Sequence, residues 1–202
     1  MNFLGHLFLS EGYDDELMIG NFIGDFVRGS NFPDYSAARI QGVRLHRQID
    51  TYTDQHPQFK ASVIRLRNDF RKYAPVIADV FYDHLLARNW LRFHTLPLHV
   101  FAQEVYEKLN QKKASLPAAV QRFLPYMQED NWLVNYAEFE GVWRSLRGIS
   151  RRSKFVDNLE DATKNLEQLH EAFTQDFLNF LPDIQQFVQQ NPELQAFSNR
   201  PK

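Results

Sequence analysis

Acidic and imidazole side chains stand at two places in this chain where the surrounding pattern predicts the apolar face of a helix. Because residues four apart in a helix lie on the same face, His46 and Asp50 fall among apolar neighbours. In the segment from 76 to 87, Asp83 and His84 flank an apolar stripe. A buried carboxylate is costly unless it is paired or binds a metal. The two segments therefore predict a shared polar centre built around a divalent cation.

The composition predicts one folded domain. The chain has 202 residues, 44% of them hydrophobic, and 18 are phenylalanine, which is enough apolar material for one sizeable core. We expect this single domain to cover residues 1–190 and the polar segment 191–202 to be a frayed tail. The net charge of −2 is too balanced to predict nucleic-acid binding, so any charged partner must be recognised by a local patch.

Three absences bear on where the protein works. The chain has no cysteine, which excludes disulfides, thiolate metal ligands and a cysteine nucleophile, and fits a reducing cytoplasm. The apolar start lacks a positively charged region and is interrupted by His6, which argues against a signal peptide. No segment approaches the ~20 apolar residues of a membrane span. We therefore predict a cytoplasmic protein without a transmembrane helix.

The periodicity of the apolar residues predicts an all-α, single-domain helical bundle. Most glycines and prolines fall between periodic segments, and Asn2 is placed to cap the first helix. Gly29 is placed to end the second helix. The predicted helices cover about 2–9, 14–28, 37–53, 58–73, 75–90, 98–113, 117–127, 132–146 and 157–180, with a short one after Pro182.

Eight acidic and imidazole residues in the first 90 positions form a candidate set. Oxygen ligands suit Mg²⁺ and Mn²⁺, and added imidazole favours Mn²⁺, Fe²⁺ or Zn²⁺. The residues alone leave a second interpretation open, because a buried histidine is often only a hydrogen-bonded core residue. An i,i+4 pair can likewise be an ordinary pair on a helix surface. The set comprises His6, Asp25, His46, Asp50, Asp54, Asp79, Asp83 and His84.

Basic residues form three further groups. Arg44 and Arg47 flank the helix face of His46, and two runs follow at 65–72 and 144–154. Each arginine alone is best interpreted as part of a solvated helix face. As groups beside a metal centre, they could attract an acidic protein or a phosphate.

The order and spacing of several sequence blocks resemble the acyl carrier protein phosphodiesterases, also called holo-acyl-carrier-protein hydrolases. The blocks cover most of the chain, and together they are specific. They are Met1–His6, Gly20–Gly29, His46–Asp50 with Thr53 and Asp54, Asp79–Leu85 with Arg88 and Trp90, and Trp132–Tyr136.

The resemblance implies an all-α fold distantly related to the HD phosphohydrolases, and a divalent metal. It implies Mn²⁺ first, with Mg²⁺ or Fe²⁺ as alternatives. The implied reaction is hydrolysis of the phosphodiester that joins 4′-phosphopantetheine to a serine of acyl carrier protein, an acidic helical partner. With this chemistry in view, we expect the metal ligands to be Asp25, His46, Asp50 and Asp83.

Further roles follow from the same expectation. His6 or His84 would protonate the leaving serine oxygen or order the attacking water. Asp79 would orient a metal ligand by a hydrogen bond without binding the metal itself. Four arginines are expected to contact the phosphate or the carrier protein, namely Arg28, Arg44, Arg47 and Arg88.

Two other functions remain open at this point. The first is a metal-dependent hydrolase of a nucleotide or another small phosphodiester, which would act independently of any carrier protein. The second is a non-catalytic helical binding protein, in which the acid and imidazole groups are satisfied core residues. That protein would bind no metal and show no activity.

Overall fold

The computed structural model describes residues 1–29, 32, 35–152 and 158–199, apart from the side chain of Arg152. Within these residues the regular structure is helical, which confirms the all-α prediction, and the pairing of Tyr13 with Ser198 is an isolated bridge. None of the described helices is long and apolar enough to cross a membrane. The helices are α1 (Phe3–Leu9), α2 (Asp15–Phe22), α3 (Ala37–Gln55), α4 (Pro57–Phe70), α5 (Ala74–Arg88), α6 (Leu98–Gln111), α7 (Ala118–Glu129), α8 (Trp132–Asn135), α9 (Phe139–Arg152), α10 (Ala162–Gln168) and α11 (His170–Gln189).

Helix α5 lies at the centre of the bundle and is buried along most of its length. It packs against α1, α4, α9 and α11. The Tyr82 ring meets the rings of Phe59 and Phe177 edge to face, with centroids 5.3 and 5.5 Å away. Each buried aromatic side chain of this kind contributes about 2–3 kcal/mol of hydrophobic stabilisation. Helix α5 is therefore the well-packed element against which α1 is held.

The ends of α3 are fixed by local hydrogen bonds. Ser36 precedes the helix, and its hydroxyl accepts the N–H of Arg39 at 3.2 Å. His56 ends α3 and starts α4, where its Nδ1 accepts the N–H of Gln58 at 3.3 Å and Pro57 occupies the first position. A cap of the Ser36 type contributes about 1 kcal/mol. With both ends of α3 fixed in this way, His46 and Asp50 lie in the interior of the helix, away from its ends.

Helices α2 and α3 cross backbone against backbone. A Cβ atom added to Gly20 would lie 2.1 Å from the carbonyl oxygen of Arg39. A Cβ atom added to Gly42 would lie 2.0 Å from the carbonyl oxygen of Leu17. Since no Cβ atom tolerates such a distance to a backbone oxygen, any side chain at either position would force the two helices apart.

Three predicted helices differ from the structure. Helix α2 ends at Phe22, and a 3-10 turn over Gly24–Phe26 replaces the predicted continuation to 28. The segment predicted as 132–146 is divided into α8 and α9. The segment predicted as 157–180 is divided into α10 and α11 from residue 158 onwards, and residue 157 lies outside the described residues. Conversely, α11 continues through Pro182, because Phe180 and Ile184 on either side are fully buried and outweigh the lost backbone hydrogen bond.

The C-terminal segment also differs from its prediction as a frayed tail. Residues Pro192–Phe197 form a 3-10 helix with Leu194 fully buried. Asn191 caps this turn by accepting the N–H of Glu193 at 3.0 Å, and the N–H of Asn199 donates to the Gly12 carbonyl at 2.8 Å. One apolar anchor and two asparagines thus hold residues 191–199 on the domain, while residues 200–202 lie outside the described part.

Candidate metal centre

Four side chains meet where α1, α3 and the turn after α2 converge. His6 Nε2 lies 3.2 Å from Asp50 Oδ1, and His46 Nε2 lies 3.2 Å from Asp50 Oδ2. His46 Nε2 is also 3.3 Å from Asp25 Oδ1. The ligand atoms of His6, His46 and Asp50 all lie within 4.8 Å of one another, a spacing that could hold a metal ion. We call these three residues and Asp25 the centre.

One buried residue, Asn21, orients both imidazole rings. Its backbone carbonyl faces His46 Nδ1 at 2.8 Å and can only accept, so this nitrogen carries the proton. Its side-chain NH₂ donates to the His6 carbonyl at 2.7 Å, which turns the amide oxygen towards His6 Nδ1 at 3.0 Å. Both rings therefore donate through Nδ1 and present Nε2 to the centre, the tautomer that metal-ligating histidines use.

This arrangement tests whether the residues fit a metal. The two rings are stacked, with centroids 3.9 Å apart, and each turns Nε2 towards carboxylate oxygen. A neutral imidazole in this tautomer offers a lone pair at Nε2, so acceptors face acceptors. Such a set is stable only with a proton or a metal cation between its members. Two nitrogen and two carboxylate ligands suit a divalent transition metal.

The pKa values of the centre follow from the same geometry. Burial alone would lower the pKa of His46, but the hydrogen bonds to Asp25 and Asp50 outweigh it and raise the pKa to about 9. Burial and the charge of His46 lower the pKa of His6 to about 4. Burial would raise the pKa of Asp50, but its contacts with His46 and His6 outweigh burial and hold the pKa well below its usual range. One imidazolium thus sits between two carboxylates, in the position that a metal cation would take.

Asp83, expected as a ligand, lies elsewhere and is saturated with donors. Its carboxylate is fully buried and accepts the N–H groups of Asn2, Leu4 and Gly5 at 3.0, 2.7 and 3.1 Å. These are the first N–H groups of α1, which have no partner within that helix. The structure therefore places Asp83 as the anchor of α1 and not beside His46.

Asp79 and His84, which were expected to be catalytic together with His6, both lie on α5 but in different surroundings. Asp79 Oδ1 lies 2.5 Å from the Met1 α-ammonium nitrogen and borders the cleft described below. His84 is fully buried, and its Nδ1 donates to the Tyr136 carbonyl at 2.7 Å. Burial lowers the pKa of His84 to about 4. Of the expected catalytic residues, His6 joins the centre, Asp79 borders the cleft, and His84 lies in the core.

The arginines expected to bind substrate do not border the cleft within the described residues. Arg47 donates to the carbonyls of Val27 and Gly29 at 3.0 and 2.7 Å, which holds the segment after α2 in place. Arg88 lies over the ring of Phe139 at 5.7 Å. Arg28 and Arg44 are exposed. The structure thus gives Arg47 a structural contact and leaves substrate contact by the other three a prediction.

The centre opens into a cleft of about 990 Å³. The Asp25 and Asp50 side chains are 66% and 42% exposed and reach it from one side, while the imidazole rings lie behind them. Helix α9 forms a further wall of the cleft. Its contributing residues include three arginines, Arg144, Arg147 and Arg151. A cleft of this size can take a ligand much longer than a simple phosphodiester.

Sequence reasoning missed two components of this site. Asn21 was not in the candidate set, although it interrupts the apolar run from 18 to 23 and is the kind of buried polar residue that needs a reason. The sequence identified the α9 arginines as a basic run that could attract an acidic protein or a phosphate, but not as a wall of the cleft. Their distance along the chain from His46 gave no signal that α9 would face the centre.

Imidazole and carboxylate groups that converge beside a cleft form an arrangement suited to metal-assisted hydrolysis. The sequence comparison is more specific. A sequence model of the acyl carrier protein phosphodiesterase family matches residues 1–184, and the chain belongs to this family. The match covers the centre, Asn21 and the α9 wall.

Individual relatives give the same result along almost their whole length. A protein of Pectobacterium atrosepticum is 32% identical over 189 residues, which cover 93% of this chain and 97% of the relative. One from Enterobacter sp. is 33% identical over 186 residues, with 90% and 94% covered. One from Photorhabdus laumondii is 32% identical over 183 residues, with 90% and 92% covered. All three are named acyl carrier protein phosphodiesterase.

No solved structure matches this chain. The all-α fold therefore rests on the helices described above, and the family membership rests on sequence. The expected distant relation to the HD phosphohydrolases stays a prediction.

Proposed function

We propose that this chain hydrolyses the phosphodiester between 4′-phosphopantetheine and the serine of holo-acyl carrier protein, releasing apo carrier protein and 4′-phosphopantetheine. The observation that carries the proposal is the convergence of His6, His46 and Asp50 at the side of a large cleft. Family membership and the names of the relatives support the same reaction. A cytoplasmic location remains part of the prediction.

In this proposal His6, His46 and Asp50 hold a divalent metal, and Asp25 completes the set from the turn after α2. The mixed nitrogen and oxygen donors favour Mn²⁺, with Mg²⁺ or Fe²⁺ as alternatives. A bound cation supplies Lewis acidity towards the phosphoryl oxygens and activates water. Asn21 fixes the two imidazole rings, so that their Nε2 atoms stay aimed at one point.

Proton delivery to the leaving serine oxygen falls to a group other than His84. His84 is fully buried, and His6 already points Nε2 into the centre. Asp79 borders the cleft, and burial raises the pKa of its carboxyl against the opposing Met1 ammonium. We assign the proton to Asp79, because a raised pKa favours the protonated form that an acid catalyst needs.

The test is mass spectrometry of holo carrier protein incubated with this protein and Mn²⁺. We expect the carrier to lose the mass of its prosthetic group, and a chelator to stop the loss. Asp50→Asn serves as the inactive control. A carrier mass that stays unchanged with Mn²⁺, Mg²⁺ and Fe²⁺, on more than one carrier protein, would overturn the proposal.

A parallel assay with bis(p-nitrophenyl) phosphate examines the alternative of a small-phosphodiester hydrolase. The exposure of Asp25 and Asp50 means that a small diester can reach the centre without a carrier. Hydrolysis of this compound together with an untouched holo carrier would favour the alternative. Neither activity, combined with no metal binding by calorimetry, would favour a non-catalytic binding protein.

A further inference from the structure

Three arginines of α9 face the same cleft as the centre but belong to a different part of it. Arg144, Arg147 and Arg151 stand at i, i+3 and i+7, so they follow one side of the helix. The α3 side of the cleft presents carboxylates, among them Asp50 and Asp54. The cleft therefore has an acidic side and a basic side.

Two of these arginines, Arg144 and Arg147, make only weak contacts among the described residues. Arg144 Nε lies 3.0 Å from Glu140 Oε1, but both side chains are more than half exposed. Such a surface pair contributes about 0–1 kcal/mol and can be exchanged for a partner at little cost. Arg147 lies over the ring of Trp143 at 4.7 Å, which supports the guanidinium from below and leaves its edge available.

The surface of α9 between these arginines has no side chain at Gly148. Gly148 occupies the interior of α9, where glycine costs about 1 kcal/mol relative to alanine. A Cβ atom added there would meet no described atom within 4 Å, so crowding does not explain the residue. The missing side chain leaves a shallow stretch beside Arg144 and Arg151, against which a partner's backbone can lie closely.

The chemistry of the substrate indicates what the basic side is for. The scissile phosphate has its partner in the centre, and the arm beyond it carries hydroxyl, amide and thiol groups without charge. The carrier protein is the remaining anionic component. Charge complementarity across an interface acts on encounter and orientation, which suits arginines at the edge of a cleft.

We propose that Arg144, Arg147 and Arg151 form the docking surface for acidic side chains of the carrier protein beside its modified serine. This inference rests on the proposed function, since it takes the carrier as the substrate. It also reassigns the docking role from Arg28, Arg44, Arg47 and Arg88 to α9. The carrier would lie along α9, with its phosphodiester reaching across the cleft to Asp50.

The experiment compares two double charge reversals with the same helical spacing. Arg144→Glu with Arg151→Glu removes the exposed pair of α9, and Lys60→Glu with Arg67→Glu changes an exposed pair seven residues apart on α4. Neither Lys60 nor Arg67 borders the cleft. Both variants lower the net charge by the same amount, so a difference between them reports position. Circular dichroism and thermal melting check that both fold.

For the α9 variant we expect KM for holo carrier protein to rise about 10-fold or more, with kcat within about 2-fold. The increase should shrink as salt rises, because exposed charges are screened beyond about 8 Å at physiological ionic strength. Hydrolysis of bis(p-nitrophenyl) phosphate should not change. The α4 variant should match the wild type in all three measurements.

A second measurement separates this inference from the proposed function. Binding of fluorescently labelled apo carrier protein is followed by anisotropy, which needs no turnover, and the α9 variant should bind about 10-fold more weakly. If the wild type cleaves holo carrier but both variants show the same KM and the same affinity, the docking surface is wrong and the function stands. If the wild type neither cleaves nor binds a carrier, the proposed function fails first.

Discussion

Two buried polar clusters in this protein have similar ingredients and opposite designs. In the first, between α4 and α11, the Asp176 carboxylate accepts the Ser62 hydroxyl at 2.8 Å and a guanidinium N–H of Arg65. The Ser62 hydroxyl also meets that of Tyr82 at 3.2 Å. In the second, the centre, Asp50 faces two imidazole nitrogens whose other ring nitrogens already donate to Asn21.

The difference lies in the balance of donors and acceptors. The Asp176 cluster matches its acceptor with a hydroxyl and a fixed cation, so it is complete within the chain and lies away from the cleft. The centre turns lone pairs towards carboxylates and opens onto solvent. Polar burial alone therefore does not identify a functional site. An excess of acceptors around one point beside a cleft is the more specific indicator, because such a set needs a proton or a cation between its members.

The sharpest test of the comparison is Asp50→Asn. The substitution keeps the shape but removes the charge that balances a cation, so we expect activity on holo carrier protein to fall by more than about 100-fold. We also expect Mn²⁺ to raise the melting temperature of the wild type and to leave that of Asp50→Asn unchanged. Asp176→Asn is the matched change in the other cluster. It should lower stability and leave the metal response intact, and equal metal loss in both variants would contradict the contrast.

Removal of the orienting amide should have the next largest effect. In Asn21→Ala the backbone carbonyl that holds His46 remains, but His6 loses its partner at Nδ1. We expect Mn²⁺ affinity, measured by calorimetry, to fall about 10- to 100-fold. Ser62→Ala removes a comparable hydrogen bond from the Asp176 cluster and should leave the Mn²⁺ affinity unchanged. An unchanged affinity in Asn21→Ala would mean that packing alone orients His6.

Asp83 resembles Asp176 in that donors within the chain satisfy its carboxylate, and substitution of Asp83 tests this assignment. Asp83→Ala leaves three N–H groups at the start of α1 without their acceptor, and we expect a loss of at least about 2 kcal/mol in the free energy of unfolding. Urea unfolding measures this directly. A variant of normal stability that no longer binds Mn²⁺ would restore Asp83 as a ligand.

The smallest expected effect concerns His84 and pH. Burial lowers the pKa of folded His84 to about 4. The charges of Arg88 and His170 lower it further by smaller amounts, while the bond to the Tyr136 carbonyl opposes them. In the unfolded chain the pKa of this histidine is near 6.5. Its contribution to stability is complete above about pH 6.5. Below that, only the unfolded state takes up the proton, so stability falls by up to about 1.4 kcal/mol per pH unit towards pH 4.

The control for this pH dependence is His84→Asn, whose amide can still donate to the Tyr136 carbonyl but does not titrate. Unfolding free energies between pH 4 and 6.5, measured with chelator present, should show a shallower slope in the variant. The low pKa of His6 contributes equally to both proteins and cancels. Identical slopes would show that His84 is already protonated in the folded state.

Much of the fold could be predicted from sequence, and all four residues of the centre were in the candidate set, although His6 was expected to be catalytic and not a ligand. Helical periodicity identified the helices, and the i,i+4 spacing placed His46 and Asp50 on one face. The same reasoning placed Asp83 on a buried face, as observed. It could not show that the start of α1 would supply three N–H donors there, because that contact joins residues about 80 positions apart.

The rest depended on tertiary packing. The continuation of α11 through Pro182 comes from buried neighbours that outweigh a local rule. The position of α9 beside α5 brings residues 144–151 to a cleft lined by Asp25 and Asp50, and no local pattern encodes that distance. Asn21 was visible as a polar residue in an apolar run, but its two histidine partners were not.

The contact of Gly20 with Arg39 and of Gly42 with Leu17 has a consequence for protein engineering. Asn21 follows Gly20 directly and His46 lies one helical turn after Gly42, so the main chains of α2 and α3 set the separation of Asn21 and His46. A library aimed at the metal preference of the proposed centre would vary Asp25 and Asp50, whose side chains reach the cleft. Positions 20 and 42 must stay glycine in it, because one added methyl group would force α2 and α3 apart and change the separation of Asn21 and His46.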